Sequence, residues 1–332
     1  MYLSTLVRIS FLGGLLALLI SCGGGGSSRG NNNNPTTGEF SVGVTDATVD
    51  SAERVLVQFT GVAVKPREGT ALELELSGDS QTCQDLLGGI DPAPTAEGEA
   101  TVRCVDLLSL QGTESATLLN SVVLDAGEYN WIRLDVDANK GIPDSIIELD
   151  DGIWESLYVP SGSQSGLKLN TAFTILAGGT HNFIIDFDLR KSINDPQGFP
   201  DYRLTPSLRL IDMAESGNIT GTVAASLLTA DNCTSDAYAV YVYEGGDGTI
   251  VGDEGSDNAP LSSAAVTLDG SDWRYTVGFL PPGEYTAVFT CEAANDTNAP
   301  DEDIAFISSS DSPTTVVADQ DSVVDFMPVD PA

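Results

Sequence analysis

Leu124-Asp-Ala-Gly-Glu-Tyr129 and, far downstream, Leu280-Pro-Pro-Gly-Glu-Tyr285 repeat one pattern: a leucine, a two-residue break, Gly-Glu, then a tyrosine that runs straight into an apolar segment. In each copy the glycine supplies a turn and the tyrosine can open a buried strand. Two copies do not make a solenoid, which needs a fixed short period. They read as the same corner in two separate β-sandwiches.

The residues around both corners agree. Ser41–Thr45, Arg54–Phe59, Trp131–Val136, Phe183–Leu189, Ala239–Tyr243 and Tyr275–Phe279 alternate with period two, and Gly, Pro and Asp punctuate them. The best helical stretch is short, Glu114 to Asn120. Many short strands between turns predict an all-β chain of two sandwiches, over residues 39–213 and 214–332. Charge supports a boundary near Met213–Gly217. Residues 214–332 hold one cation, Arg274, against 21 acids, whereas residues 38–213 hold 11 cations against 28.

The whole chain carries 14 Lys+Arg against 49 Asp+Glu, a net charge of −35. That balance excludes nucleic-acid binding, which relies on cations neutralising phosphates, and adsorption to anionic lipid through a basic patch. At 41% hydrophobic and 19% charged residues, the chain is nonetheless not a disordered acidic tail. Its carboxylates keep it soluble and apart from its neighbours, as a salt-rich habitat favours.

The amino end, MYLSTLVRISFLGGLLALLISC, has Arg8 before an apolar run from Phe11 to Ile20 and a small residue, Ser21. This is a secretory leader over residues 1–21, too short to span a bilayer. Leu19-Ile20-Ser21-Cys22 resembles the lipobox of bacterial lipoproteins. The resemblance implies cleavage before Cys22, acylation of its thiol and new amine, and a membrane partner reached through lipid. Several chains anchor firmly where one does not. Gly23 stands where Asp would signal inner-membrane retention, which implies the outer membrane of the cell envelope. The Gly/Ser/Asn-rich stretch up to residue 38 is a flexible tether with a reach of about 20–25 Å.

Cys83, Cys104, Cys233 and Cys291 remain. In an exported chain an even count points to disulfides, and four cysteines allow three pairings. One pair per half favours Cys83–Cys104 and Cys233–Cys291. A Cys₄ metal site lacks any C-x₂-C spacing.

Several segments carry the residue types of a site. Ser165-Gly-Leu-Lys168 satisfies S-x-x-K, but its companion motifs are missing and it enters a strand. Gly162-Ser-Gln-Ser-Gly166 is no nucleophile elbow, because Gln164 holds the middle position. The single histidine, His181, follows Gly178-Gly-Thr180 and reads as a turn residue with no second histidine to help it. Asp135, Asp137 and Asn139 place oxygens at alternate residues, as a calcium loop does, but Lys140 and Ile146 break the EF-hand pattern. Gly245–Gly248 with Gly252–Asp257, and Asp301–Asp303, are similar acidic loops. No other cofactor is implied. In strand register Arg133 shares a face with Asp135, and Arg190 with Asp186 and Asp188, while Arg209 sits between Leu208 and Leu210. These read as surface ion pairs, or as a polar ligand platform that includes Lys168. Trp131, Trp154 and Trp273 read as core residues rather than a sugar-stacking surface.

Seven ordered segments resemble the DUF4382 family of exported bacterial proteins over residues 39–213. They are Thr45–Asp50, Phe59–Pro66, Asp106–Gly112, Ala126–Leu134, Val159–Leu169, Asp186–Ser192 and Tyr202–Asp212. The insert around Cys83–Cys104 departs from the family's pattern. The family brings no established activity, so no catalytic residue is carried over. Asn218–Val223 and Gly278–Tyr285 resemble the first strand and hairpin of prealbumin-like and carboxypeptidase-regulatory-like sandwiches, which implies a spacer or binding module. Three classes follow: a non-enzymatic envelope lipoprotein that binds, spaces or assembles on an envelope protein or glycan, a carbohydrate- or calcium-dependent adhesion module, and, with only carboxylate abundance behind it, a hydrolase. The first fits the residues best.

Overall fold

The computed structural model describes residues 36–47, 52–149, 151–160, 166–194, 201–205, 207–229, 233, 237–297, 299 and 302–328. The leader, Cys22 and the tether up to residue 35 lie outside the described residues, as do Gly162–Ser165 and Asp301. From Pro35 onward the chain is one compact unit, and it is all-β. Among the described residues no helix is long and apolar enough to cross a membrane.

Strands from Thr37 to Asp212 form two sheets. The first runs Leu208–Asp212, Thr180–Asp188, Thr37–Ala47, Ala116–Asp125, with Thr37–Ala47 parallel to Thr180–Asp188. The second is built on the long strand Ala52–Pro66, which pairs antiparallel with Gly127–Asp137 and Ile146–Leu149 and carries Leu72–Leu74 and Arg103–Asp106. Between the sheets lie Phe40, Phe59, Tyr129 and Phe187, all at most 1% exposed. Tyr129 stacks on Phe173 at 5.0 Å and Phe173 on Phe40 at 5.7 Å, the offset ring contacts that add to plain burial. Strands from Gly217 to Val323 form two further sheets, one around Gly217–Val223 and Asp272–Leu280, the other around Ala239–Glu244 and Gly283–Thr290.

The two repeated hexapeptides occupy equivalent places. Ala116–Asp125 lies in one sheet and Gly127–Asp137 in the facing one; Asp272–Leu280 and Gly283–Thr290 are divided in the same way. Each motif is thus where the chain crosses from sheet to sheet. The Tyr129 hydroxyl donates to Asp125 O at 2.9 Å, and that of Tyr285 to Pro281 O at 2.8 Å. Both bonds reach four residues back, so a buried ring fixes the crossing and its one polar atom is satisfied.

The expected helix at Glu114–Asn120 does not form. Ala116–Asp125 is a strand, paired through Val42↔Leu119 and Val44↔Ala116. A seven-residue helix is marginal in water, whereas the ladder satisfies the same backbone groups and buries both Leu118 and Leu119.

The cysteine insert is closed by Cys83–Cys104, and Cys233 pairs with Cys291. The first bridge packs with Leu56 and Ile146 as a small cluster separate from the main core. Gln58 ties it down, accepting from Cys83 N at 3.1 Å and donating to Asp137 Oδ2 at 3.3 Å.

Two strands depart from simple alternation. All of Phe183–Phe187 is buried, and all of Ala239–Tyr243. One face of each belongs to its own core; the other face of Ala239–Tyr243 is covered by Val251, Ala293 and Phe306 of its own sandwich, and that of Phe183–Phe187 at a joint between the two sandwiches. Phe279 packs on Ile184 and Ile211 there. Gly278 meets Gly112 so closely that a Cβ would lie 2.1 Å from Gly112 O.

Candidate functional site

Along Gly127–Asp137 the buried residues Ile132, Leu134 and Val136 face the core, so Trp131, Arg133, Asp135 and Asp137 face outward. On the neighbouring strand Lys65, Ala63 and Gly61 stand opposite Trp131, Arg133 and Asp135. On the other side Lys168 stands opposite Arg133. The small residues Ala63 and Gly61 keep this strip of the sheet low beside the arginine; a Cβ on Gly61 would already lie 3.4 Å from Asp135 Oδ2.

Arg133 bonds Asp135 at 2.6 Å and Glu73 at 3.0 Å, and the bond to Asp135 raises its guanidinium above its ordinary range. Its charge is therefore spent within the fold. Lys168 differs. Its Nζ lies 4.5 Å from the centroid of the Trp131 ring, and among the described residues no carboxylate pairs with it. Arg133 lies 6.0 Å from the same ring. A cleft of about 560 Å³ opens at the Trp131 end of these strands, lined by Pro66, Arg67, Leu72, Glu128 and Tyr129. The arrangement offers an indole face, one ammonium unpaired by carboxylates among the described residues, and peptide edges.

The calcium residues are placed apart in role. Asp135 is held by Arg133 and Asp137 by Gln58, and among the described residues no three His, Cys, Asp or Glu converge on a metal position. His181 accepts from Leu176 N at 2.8 Å in a turn, beside a cleft lined by Phe173, Phe183 and Pro281. The tryptophans are not all core. Trp154 is 50% exposed and Trp131 half-buried on the outer face, while Trp273 packs edge-on against Tyr238 at 5.5 Å. Alternation alone cannot say which face of a strand is covered.

Arg209 pairs with Asp186, Nε to Oδ2 at 3.0 Å. Arg190 does not share their face, because the strand ends at Asp188, whose carboxylate caps Lys191 N and starts the turn Leu189–Ser192. That turn carries Arg190 and Lys191 to the joint. The Arg190 guanidinium lies 5.4 Å from the Tyr241 ring centroid and donates to its hydroxyl. Lys191 Nζ lies 3.0 Å from Asp188 Oδ2 and 3.2 Å from Glu254 Oε2, and donates to Pro260 O at 3.0 Å.

Behind them sit Asp253, Glu254 and Asp296, only 5%, 6% and 8% exposed. Glu254 N donates to Asp296 Oδ1 at 3.0 Å, and the Tyr243 hydroxyl to Gly252 O at 2.6 Å. Asp253 Oδ1 and Asp296 Oδ2 receive no hydrogen bond, and Glu254 Oε2 meets Lys191 as an ion pair without hydrogen-bond geometry. Burial pushes the Glu254 carboxyl up to about 7, against the pull of Lys191, and raises Asp296 as well. Burial by itself would lower Lys191, but the Glu254 and Asp188 carboxylates outweigh it and hold the ammonium charged. The acidic loop Gly252–Asp257 was visible in the sequence; its meeting with Lys191 and Asp296 was not, since those residues are distant along the chain.

No curated protein matches the chain. Among solved structures it is similar to a leucine-rich repeat protein of Bacteroides thetaiotaomicron, at 12% identity and a TM-score of 0.21, over 90% of this chain and 26% of that one. A candidate cell adhesion protein of Bacteroides fragilis follows at 10% and 0.21, over 90% and 93%. A candidate adhesin of Bacteroides ovatus matches at 9% and 0.20, over 94% and 100%. At such scores no residue correspondence is drawn. The family model described as "Domain of unknown function (DUF4382)" matches residues 37–206, from the first strand of the first sandwich through the outer face just described, and the chain belongs to that family.

Proposed function

We propose that the chain is a lipid-anchored, non-catalytic binding module of the bacterial cell envelope, and that the Trp131–Lys168 face takes an acidic saccharide. One observation carries this reading: a lysine without a carboxylate partner lies over a half-buried tryptophan in a chain of net charge −35. In such surroundings a cation left unpaired by protein carboxylates is the natural seat for a ligand's own carboxylate. The indole supplies a flat apolar face for the C–H side of a sugar ring. Lys168 need only swing aside, and its flexible stem makes that move easy. The leader and Cys22 support export and anchoring, and lipid attachment would leave the sandwiches on a tether outside the cytosol.

The test titrates the folded chain with an alginate tetramer and with cellotetraose, a neutral counterpart, and follows tryptophan fluorescence. Binding of the alginate alone is expected. Lys168→Met is expected to weaken it about 10-fold, as the loss of a partly exposed charge contact of about 1.4 kcal/mol implies, and Trp131→Ala to abolish it. Equal response to both sugars, or no effect of Lys168→Met, rejects the assignment of this face. Anchoring is checked separately. Cys22→Ser is expected to move the chain from the membrane to the soluble fraction of expressing bacteria.

A further inference from the structure

The joint between the sandwiches contains more buried negative charge than its cations can balance. Facing one another are Asp188, Arg190 and Lys191 from the first sandwich, with Tyr241, Tyr243, Asp253, Glu254 and Asp296 from the second. Asp253, Glu254 and Asp296 are all more than nine-tenths buried, and two of their oxygens receive no hydrogen bond. Only Arg190 and Lys191 oppose them, and Lys191 is shared with Asp188. Burying three ionised carboxylates against two cations is costly, and a site so placed answers by neutralising one of its members.

We propose that the joint is a proton-held latch: one proton shared by Glu254 and Asp296 balances the buried acids against Arg190 and Lys191, and its loss to solvent on alkalinisation loosens the second sandwich from the first. Glu254 is the seat of that proton, because its side chain is only 4% exposed, the Asp188 and Asp296 carboxylates both oppose its charge, and Lys191, its ion-pair partner, is already shared with Asp188. The two tyrosines add no charge of their own, since burial pushes both hydroxyls up and keeps them neutral, although that of Tyr241 bonds Asp296.

The sign of the pH effect follows by linkage. Glu254 goes from its ordinary 4.5 to about 7 on folding. The folded chain then holds a proton that the unfolded chain has released, so the contribution is fully present below the ordinary carboxylate range and is lost as pH rises through about 7. This is opposite to the usual salt-bridged carboxylate, which stabilises on going up in pH.

The experiment uses the complete folded chain without added divalent cation. Thermal unfolding is followed from about pH 5 to about pH 9, with amide exchange read at Leu189–Ser192 and Ala239–Glu244. The wild type is expected to lose several degrees across neutrality, with exchange at these two segments, corrected for intrinsic rate, rising in the same window. Glu254→Gln is expected to flatten both curves and to melt higher than wild type at alkaline pH. Asp296→Asn removes the neighbouring charge that opposes ionisation of Glu254 and is expected to move the midpoint to lower pH. A wild-type profile without loss of protection at the joint overturns the proposal, as does an unchanged slope in Glu254→Gln. Should Glu254→Gln fail to fold, an unmoved midpoint in Asp296→Asn overturns it equally.

Discussion

Gly278 shows how much a single residue can hold. A side chain there would drive its Cβ to 2.1 Å from Gly112 O, and main chain on the far side of the joint cannot swing away as a side-chain tip can. Gly278→Ala is therefore expected to cost about 1–3 kcal/mol, the usual range for overpacking, read as a lower urea midpoint with an unchanged slope. An unchanged midpoint would mean the sandwiches do not touch at this glycine. Next to it Phe279 sits at φ 55, a left-handed conformation that a bulky residue adopts only where packing over-determines it; its ring between Ile184 and Ile211 supplies that packing. Glycine's role was legible in Leu280-Pro-Pro-Gly-Glu-Tyr285 as a turn signal. At Gly278 it was not, because a close approach to a segment so far away in sequence leaves no local mark.

Among elements, the cysteine insert has the clearest independent energetics. Cys83–Cys104 closes a loop with a sequence separation of 21, and Cys233–Cys291 one of 58. Loop-closure entropy predicts about 3 and about 4 kcal/mol for them. The first packs on its own small cluster. Its removal as Cys83→Ala with Cys104→Ala is expected to raise exchange at Cys83–Leu87 while leaving the near-ultraviolet spectrum of the main core intact. Loss of both together would show the insert to be part of the core. Strand identity was legible wherever alternation was clean, as in Gly127–Asp137. It failed at Glu114–Asn120, where adjacent leucines satisfy either period and only the partner strand Thr37–Ala47 decides between them. The outward face was the harder matter. Phe183-Ile-Ile-Asp-Phe187 is buried on both sides because a second body covers it, and its run of apolar residues broken only by Asp186 was the available clue.

For the molecule as a whole, charge is the dominant long-range fact. With −35 spread over a folded body, self-repulsion opposes compactness, and salt relieves it by shortening the Debye length from about 10 Å at 0.1 M to about 3 Å at 1 M. The melting temperature is expected to rise when sodium chloride is raised between about those concentrations. A fall would show that the screened ion pairs, such as Arg133–Asp135 and Arg209–Asp186, outweigh the net repulsion. The candidate face was legible in part. Lys168 and Arg133 were visible as scarce cations, but Trp131 looked like core until the outer side of its strand was known. The acid excess was plain from composition, and its concentration at the joint was not, since Asp253 and Asp296 meet only through folding.

The placement of the first strand has a mechanical consequence. Thr37–Ala47 is held on both sides, by Thr180–Asp188 in parallel and by Ala116–Asp125 antiparallel. A pull applied through the residues that precede it, against the rest of the body, would load both ladders along their length. Many hydrogen bonds would then have to break in one event instead of unzipping singly, which makes this end of the molecule the one suited to bear tension.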